Sequence, residues 1–337
     1  MTDPKPSNKW KKGFLKTGLP LEYVTSNILT KLGHTIFGEY PYIRPDERKE
    51  LKEFSVDLRT YKTLDNNNDE RLIVLSMLIE CKYRQHGTSW IFSPFPSEMF
   101  PIGLMNSTED IVPVRIENKN VLKFEQNIGY CISGVELSAD GNGNTNGVKH
   151  GVFQLRFAMP EFVKNDYVNG LDHTYYDGRF IDLSCAILVT TADIRVIKPN
   201  KYLEDFTSAK ELDDVTEIKE AIILNERPGP QLQEFADKLG NELVKEHPEL
   251  EQRLLDIDKV LIGKEWGNRY APDLDTIKRS IGYSAERILI VNHKFLDKTI
   301  KILEKALQKD IKMEKVYGKV LETNDGFEIT PIDKREK

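Results

Sequence analysis

The segment Leu72-Ile73-Val74-Leu75-Ser76-Met77-Leu78-Ile79 has a single polar residue, Ser76, among its apolar side chains. Side chains in a strand alternate between the two faces of a sheet, so a strand of this kind has no face fit for water. It belongs in the interior of a sheet covered on both sides. Ser184–Thr191 (SCAILVTT) has the same character. Two such strands, with helical patterns before and after them, give an α/β chain.

The first helix signal follows residues 1–16, which read as a frayed basic tail containing Lys9-Trp10-Lys11-Lys12. Thr17 is a candidate cap, Pro20 suits a first turn, and Leu21, Val24, Ile28 and Leu32 recur at helical spacing up to Gly33. A short strand is expected around Glu39–Arg44. A second is expected over Phe54–Tyr61, with Phe54, Val56 and Leu58 on one face and Ser55, Asp57 and Arg59 on the other. A turn at 65–69 would join it as a hairpin to a third strand, Arg71–Tyr83. Prolines mark loops between 84 and 135, and 141–147 is a flexible Gly/Asn loop. A helix is expected over Val152–Asn165, interrupted near Pro160, and a further strand over Ile194–Ile197. The polar, acidic stretch 201–217 reads as a linker between a domain at 17–200 and a C-terminal α/β domain at 218–315, with 316–337 a tail. That second domain would contain strands at Ala221–Leu224 and Arg287–Val291, helices near 229–246 and 249–262, and a last helix over His293–Lys312. In the last helix Leu296, Ile300, Leu303 and Leu307 follow one side. Lys294, Lys298, Lys301 and Lys305 follow the other as a solvated face.

No stretch approaches the ~20 apolar residues that cross a bilayer, so no membrane association is expected. The basic N-terminus lacks the apolar core of a signal peptide, and a cytoplasmic location is the default expectation. Cys81, Cys131 and Cys185 are scattered and lie among apolar neighbours, as buried free thiols do. With a net charge of −6, any contact with nucleic acid has to come from local patches.

The chemistry concentrates at Glu80-Cys81-Lys82. Glu80 and Lys82 project from the same face at the end of the apolar strand, where charge is costly unless paired or bound to a metal. The hairpin can bring Asp57 close to Glu80. Two converging carboxylates, with the Cys81 backbone carbonyl, make an oxygen site suited to Mg²⁺, with Mn²⁺ as a substitute. Lys82 would position water or stabilise charge developing on phosphorus. A simple salt bridge at a strand end is the alternative. Arg84, His86, Ser89 and Trp90 follow directly and are candidates for phosphate contact or base stacking. For His86, ordinary surface placement is the favoured reading.

Glu22 in an N-terminal helix, Ser55-Val56-Asp57-Leu58 on a strand and Ile79-Glu80-Cys81-Lys82-Tyr83 together resemble the PD-(D/E)XK, or restriction-endonuclease-like, nuclease superfamily. The resemblance spans roughly 17–200. Val56 stands where the family name has proline. The resemblance implies a mixed central sheet flanked by helices, here with a C-terminal α/β extension. It also implies Mg²⁺-dependent hydrolysis of phosphodiester bonds in nucleic acid, with DNA the expected polymer and restriction, other defence or repair the expected setting. Asp57 and Glu80 would be metal ligands, Lys82 catalytic, Glu22 the helix acid and Gln154 a residue near substrate. Glu22 reads equally as an acid at a helix start, and Gln154 as a solvent-facing side chain. The alternative function is a nuclease-fold subunit that binds nucleic acid without cutting it. A homodimer or a partner protein would engage the C-terminal domain.

Overall fold

The apolar run 72–79 forms part of an eleven-residue strand, Leu72–Lys82, paired in parallel with Phe180–Thr190 from Phe180↔Leu72 to Thr190↔Lys82. In this computed structural model the described residues are 9–46, 48–64, 72–96, 103–108, 111, 119–171, 180–261, 273–310, 318–323 and 326–331. The strands are β1 (Thr35–Ile36), β2 (Tyr40–Pro45), β3 (Leu51–Val56), β4 (Leu58–Leu64), β5 (Leu72–Lys82), β6 (Ser89–Pro94), β7 (Asn106–Ser107) and β8 (Tyr130–Leu137). They continue as β9 (Gly143–Asn144), β10 (Phe180–Thr190), β11 (Asp193–Ile197), β12 (Thr216–Lys219), β13 (Ala221–Asn225), β14 (Arg287–Asn292), β15 (Gly318–Thr323) and β16 (Gly326–Pro331). The helices are α1 (Lys9–Lys16), α2 (Leu19–Lys31), α3 (Lys119–Ile128), α4 (Asn146–Leu171) and α5 (Leu203–Ser208). After them come α6 (Leu212–Val215), α7 (Pro230–Glu246), α8 (Glu249–Leu261), α9 (Leu274–Tyr283) and α10 (Leu296–Asp310).

One mixed sheet runs β1-β4-β5-β10-β14-β13-β8-β6-β11-β12, with β7 beside β10 and β9 beside β8. Both faces are covered, as the apolar strands require. Leu78, Leu188, Ile222 and Ile290 pack under α4, α7 and α9. Ile79, Ile187, Ile223 and Leu289 pack on the other face under α2, α3 and α10. All eight side chains are buried, and each contributes about 1.5–3 kcal/mol relative to exposure. The three cysteines are buried and unbridged. Among the described residues no helix is long and apolar enough to cross a membrane.

Several expectations need correction. The stretch 201–217 does not separate two sheets. It holds α5, α6 and the start of the edge strand β12, and β13 and β14 beyond it lie in the middle of the same sheet, between β10 and β8. The expected strand Phe54–Tyr61 is two strands. β3 pairs with β2, β4 pairs with β5, and Asp57 stands at the bend between them. Val56 packs under α4 and Leu58 on the α2 side, so the two do not share a face. Part of the expected frayed tail is α1, and the Thr17 hydroxyl donates to the Phe14 carbonyl at its end instead of capping α2. Val24 is exposed, and Leu21, Thr25 and Leu29 form the buried stripe of α2. α4 runs unbroken through the buried Pro160. α10 follows a turn of 3₁₀ helix at His293–Phe295, with Leu296, Ile300, Leu303 and Leu307 buried and its lysines exposed as expected. The C-terminal tail expected at 316–337 contains the β15–β16 hairpin.

Candidate active site

The β4–β5 register, Leu58↔Ile79, places Asp57 across from Glu80 one step further on. The bend there frees the Asp57 side chain to replace a ladder hydrogen bond. Its Oδ2 accepts the Cys81 N–H at 2.7 Å. The Cys81 thiol points to the other face and donates to Thr25 Oγ1 at 3.6 Å. Glu80 and Lys82 share a face, and the Lys82 ammonium donates to Glu80 Oε1. Lys82 Nζ also donates to Gln154 Oε1 at 2.9 Å, and Gln154 Nε2 donates to the Ser55 carbonyl at 3.2 Å. Gln154 on α4 thus ties Lys82 to the strand that leads into Asp57. The solvent-facing reading of Gln154 does not hold. α4 comes this close because residue 151 is glycine: a Cβ there would lie 3.0 Å from Lys82 Cγ and 2.9 Å from Leu188 Cδ1.

Glu80 is fully buried, and its Oε2 has no hydrogen-bond partner. Burial, reinforced by the Asp57 charge, pushes its pKa up to about 7, against the pull of Lys82. Burial also raises Asp57, opposed by the Cys81 N–H and by Lys82. Glu22 is raised by burial and then by the charges of Asp57 and Glu39, with Lys82 opposing. Glu22 therefore feels the charges of Asp57 and Lys82. Glu39 is a further acid that the sequence reading missed. Its only sequence signal is its place at the start of the expected strand 39–44.

Among the described residues no three His, Cys, Asp or Glu side chains gather closely enough to enclose an ion. What the site offers is a pair of carboxylates, one with a buried oxygen lacking a partner. Such a pair fits a hard cation that keeps most of its own water, the habit of magnesium. A soft metal would find no thiolate here, because the Cys81 sulfur faces away.

Three residues expected to meet nucleic acid are engaged within the protein. Arg84 pairs with Glu136, donates to the Gly147 carbonyl at 2.7 Å and to the Tyr83 carbonyl at 3.0 Å, and lies 5.5 Å from the Trp90 ring centre. Trp90 is fully buried and its Nε1 donates to Glu136 Oε2 at 2.9 Å, so its ring cannot stack on a base. Ser89 is buried beside it. His86 is exposed in the turn before β6. On the other side of Lys82 the field is positive. His150 on α4 is lowered by burial and then by Lys82, Arg84 and Arg44. The Arg44 guanidinium lies 3.9 Å from the Phe54 ring centre and 4.4 Å from that of Phe157. Neither Arg44 nor His150 was legible as part of the site.

Compared with family models, with curated proteins and with solved structures, the chain matches none.

Proposed function

We propose that this chain is a metal-dependent nuclease of restriction-endonuclease-like fold that hydrolyses phosphodiester bonds in DNA. The observation that carries the reading is the meeting of Asp57, Glu80 and Lys82 at the bend of β3 and β4 against the end of β5. Asp57 and Glu80 would hold the divalent cation, magnesium or manganese. When bound, the cation polarises a phosphoryl oxygen and activates water. The chain supplies the rest. Lys82 carries a positive charge to the side of the site where the extra negative charge of the transition state develops. Gln154 holds the Lys82 ammonium in place and limits its rotamers. Arg44 and Lys82 together favour a phosphate over a neutral ligand. Glu22 adds negative charge on the cation side.

The test is incubation with linear, circular, branched and single-stranded DNA, and with RNA, in magnesium or manganese. Cleavage of DNA that stops on chelation is expected. One observation favours a second reading, a binding subunit without catalysis: Lys82 is already paired with Glu80, which leaves that pair neutral in the absence of metal. DNA bound but uncut across several metals would establish that reading instead.

A further inference from the structure

Among the described elements α1 is the strongly basic one, packed on α2, which carries Glu22, and the chemistry proposed above makes no use of it. Its eight residues, KWKKGFLK, hold four lysines and no acid in a chain of net charge −6. None of its side chains is buried. Trp10 is 69% exposed and Phe14 49%. The two stand one helical turn apart on the same face. Lys9, Lys12 and Lys16, spaced three and four apart, follow another face, and Lys11 flanks the Phe14 side. Among the described residues none of these lysines makes an ion pair. A large aromatic left in water on a helix with no cover is unusual for a fold that buries Trp90 completely.

The end of α1 is tied to α2, the helix that carries Glu22. The chain turns at Gly18, with a φ of +86°, and the Glu22 N–H donates to the Gly18 carbonyl at 3.1 Å. A Cβ at Gly18 would lie 3.1 Å from Glu22 Oε1. Tyr23, next to Glu22 in α2, is another exposed aromatic side chain, 67% exposed.

We infer that α1 is a strand-capture arm: Trp10 and Phe14 stack on unpaired bases while the lysines follow the backbone, delivering single-stranded DNA to the Glu22 side of the site. This rests on the nuclease reading and narrows its substrate to DNA with an unpaired stretch beside the scissile bond. Stacking requires bases free of their own duplex neighbours, and every base has a face to offer, so the arm selects for strandedness and not for sequence. The lysines supply the sequence-independent attraction that the acidic body lacks. An anionic membrane is the other surface that basic and aromatic helices meet. A two-turn helix only about 12 Å long, held against α2 at its end, offers little apolar area to bury there.

The experiment uses the full chain in EDTA, so that binding is read without cleavage. Fluorescence anisotropy follows a labelled thymidine oligonucleotide of about 20 nucleotides and a duplex of equal length. The single strand is expected to bind tighter than the duplex. Trp10→Ala with Phe14→Ala is expected to weaken single-strand binding by about tenfold or more, with duplex binding little changed. Replacing the four lysines by glutamine is expected to weaken both and to lower the salt slope by about 0.7 for each phosphate no longer neutralised. Unchanged melting would show that these exposed substitutions leave the fold intact. Wild-type affinity in both variants would overturn the inference. So would equal affinity of the wild type for strand and duplex, or binding only to phosphatidylserine vesicles. If the wild type cuts DNA and the variants bind normally, the arm fails and the nuclease reading stands. If nothing is cut but binding depends on α1, the reverse holds.

Discussion

A carboxylate without water, as Glu80 is, settles by holding a proton, a cation or a metal. Its folded pKa of about 7 lies above its ordinary 4.5. The folded state therefore keeps a proton that the unfolded chain has released, and its contribution to stability, complete below about pH 4.5, is lost as pH rises through about 7. In chelator, Glu80→Gln should melt higher than wild type at pH 8, by on the order of 5 °C, with the gap closing towards pH 5. Magnesium at pH 8 should close it too, by ligating the wild-type carboxylate. Melting curves that run parallel across this range would show that Glu80 does not feel its burial. Gln154 makes a second test. Gln154→Ala should cut turnover about tenfold or more with little change in KM, because it holds Lys82 and not the substrate. A rise in KM alone would assign it to substrate binding. Glu80 and Lys82 were legible because an apolar run makes any charge at its end conspicuous, and Asp57 through the expected pairing of its strand with that run. Arg44, Glu39 and His150 were not, since they arrive from separate elements with no local pattern. Trp90 and Arg84 were misread for a different reason. An aromatic and a basic residue after a strand look the same in sequence whether they face DNA or, as here, a half-buried Glu136.

At the scale of elements, the site depends on how closely α4 approaches β5. Gly151 sets that distance. Gly151→Ala gains helix propensity of about 1 kcal/mol but brings a methyl against the Lys82 stem and Leu188. The lysine stem can move aside. We expect melting within about 3 °C of wild type and activity down at least tenfold. Activity at the wild-type level would show that Lys82 does not need its present position. α4 also marks a limit of sequence reading. Pro160 suggested a break because proline removes a helical hydrogen bond, yet the helix continues through it. The residues around it, from Leu155 to Val163, are largely buried against the sheet, and that packing outweighs the local cost. The bend at Asp57 was equally hidden. Alternation predicts faces only while a strand keeps one partner, and β3 and β4 have different partners.

For the whole molecule, the α/β class followed from the apolar strands, whereas the division into two domains did not survive. Composition at 201–217 is polar because β12 is an edge strand and α5 and α6 are short and exposed, which imitates a linker. β13 and β14 close the sheet between β10 and β8, so the C-terminal third supplies the middle of the same sheet. A fragment of residues 1–217 would leave β10 and β8 with unpaired edges and uncovered apolar faces. It should be insoluble or melt without a cooperative transition. A soluble fragment with a sharp transition would restore the two-domain view. The decisive measurement is magnesium-dependent DNA cleavage by wild type, Asp57→Ala and Lys82→Ala, compared at equal concentration after circular dichroism shows all three folded. If Asp57, Glu80 and Lys82 form the active site, the wild type cuts and each variant loses at least a hundredfold. Undiminished cleavage by both variants would contradict that assignment.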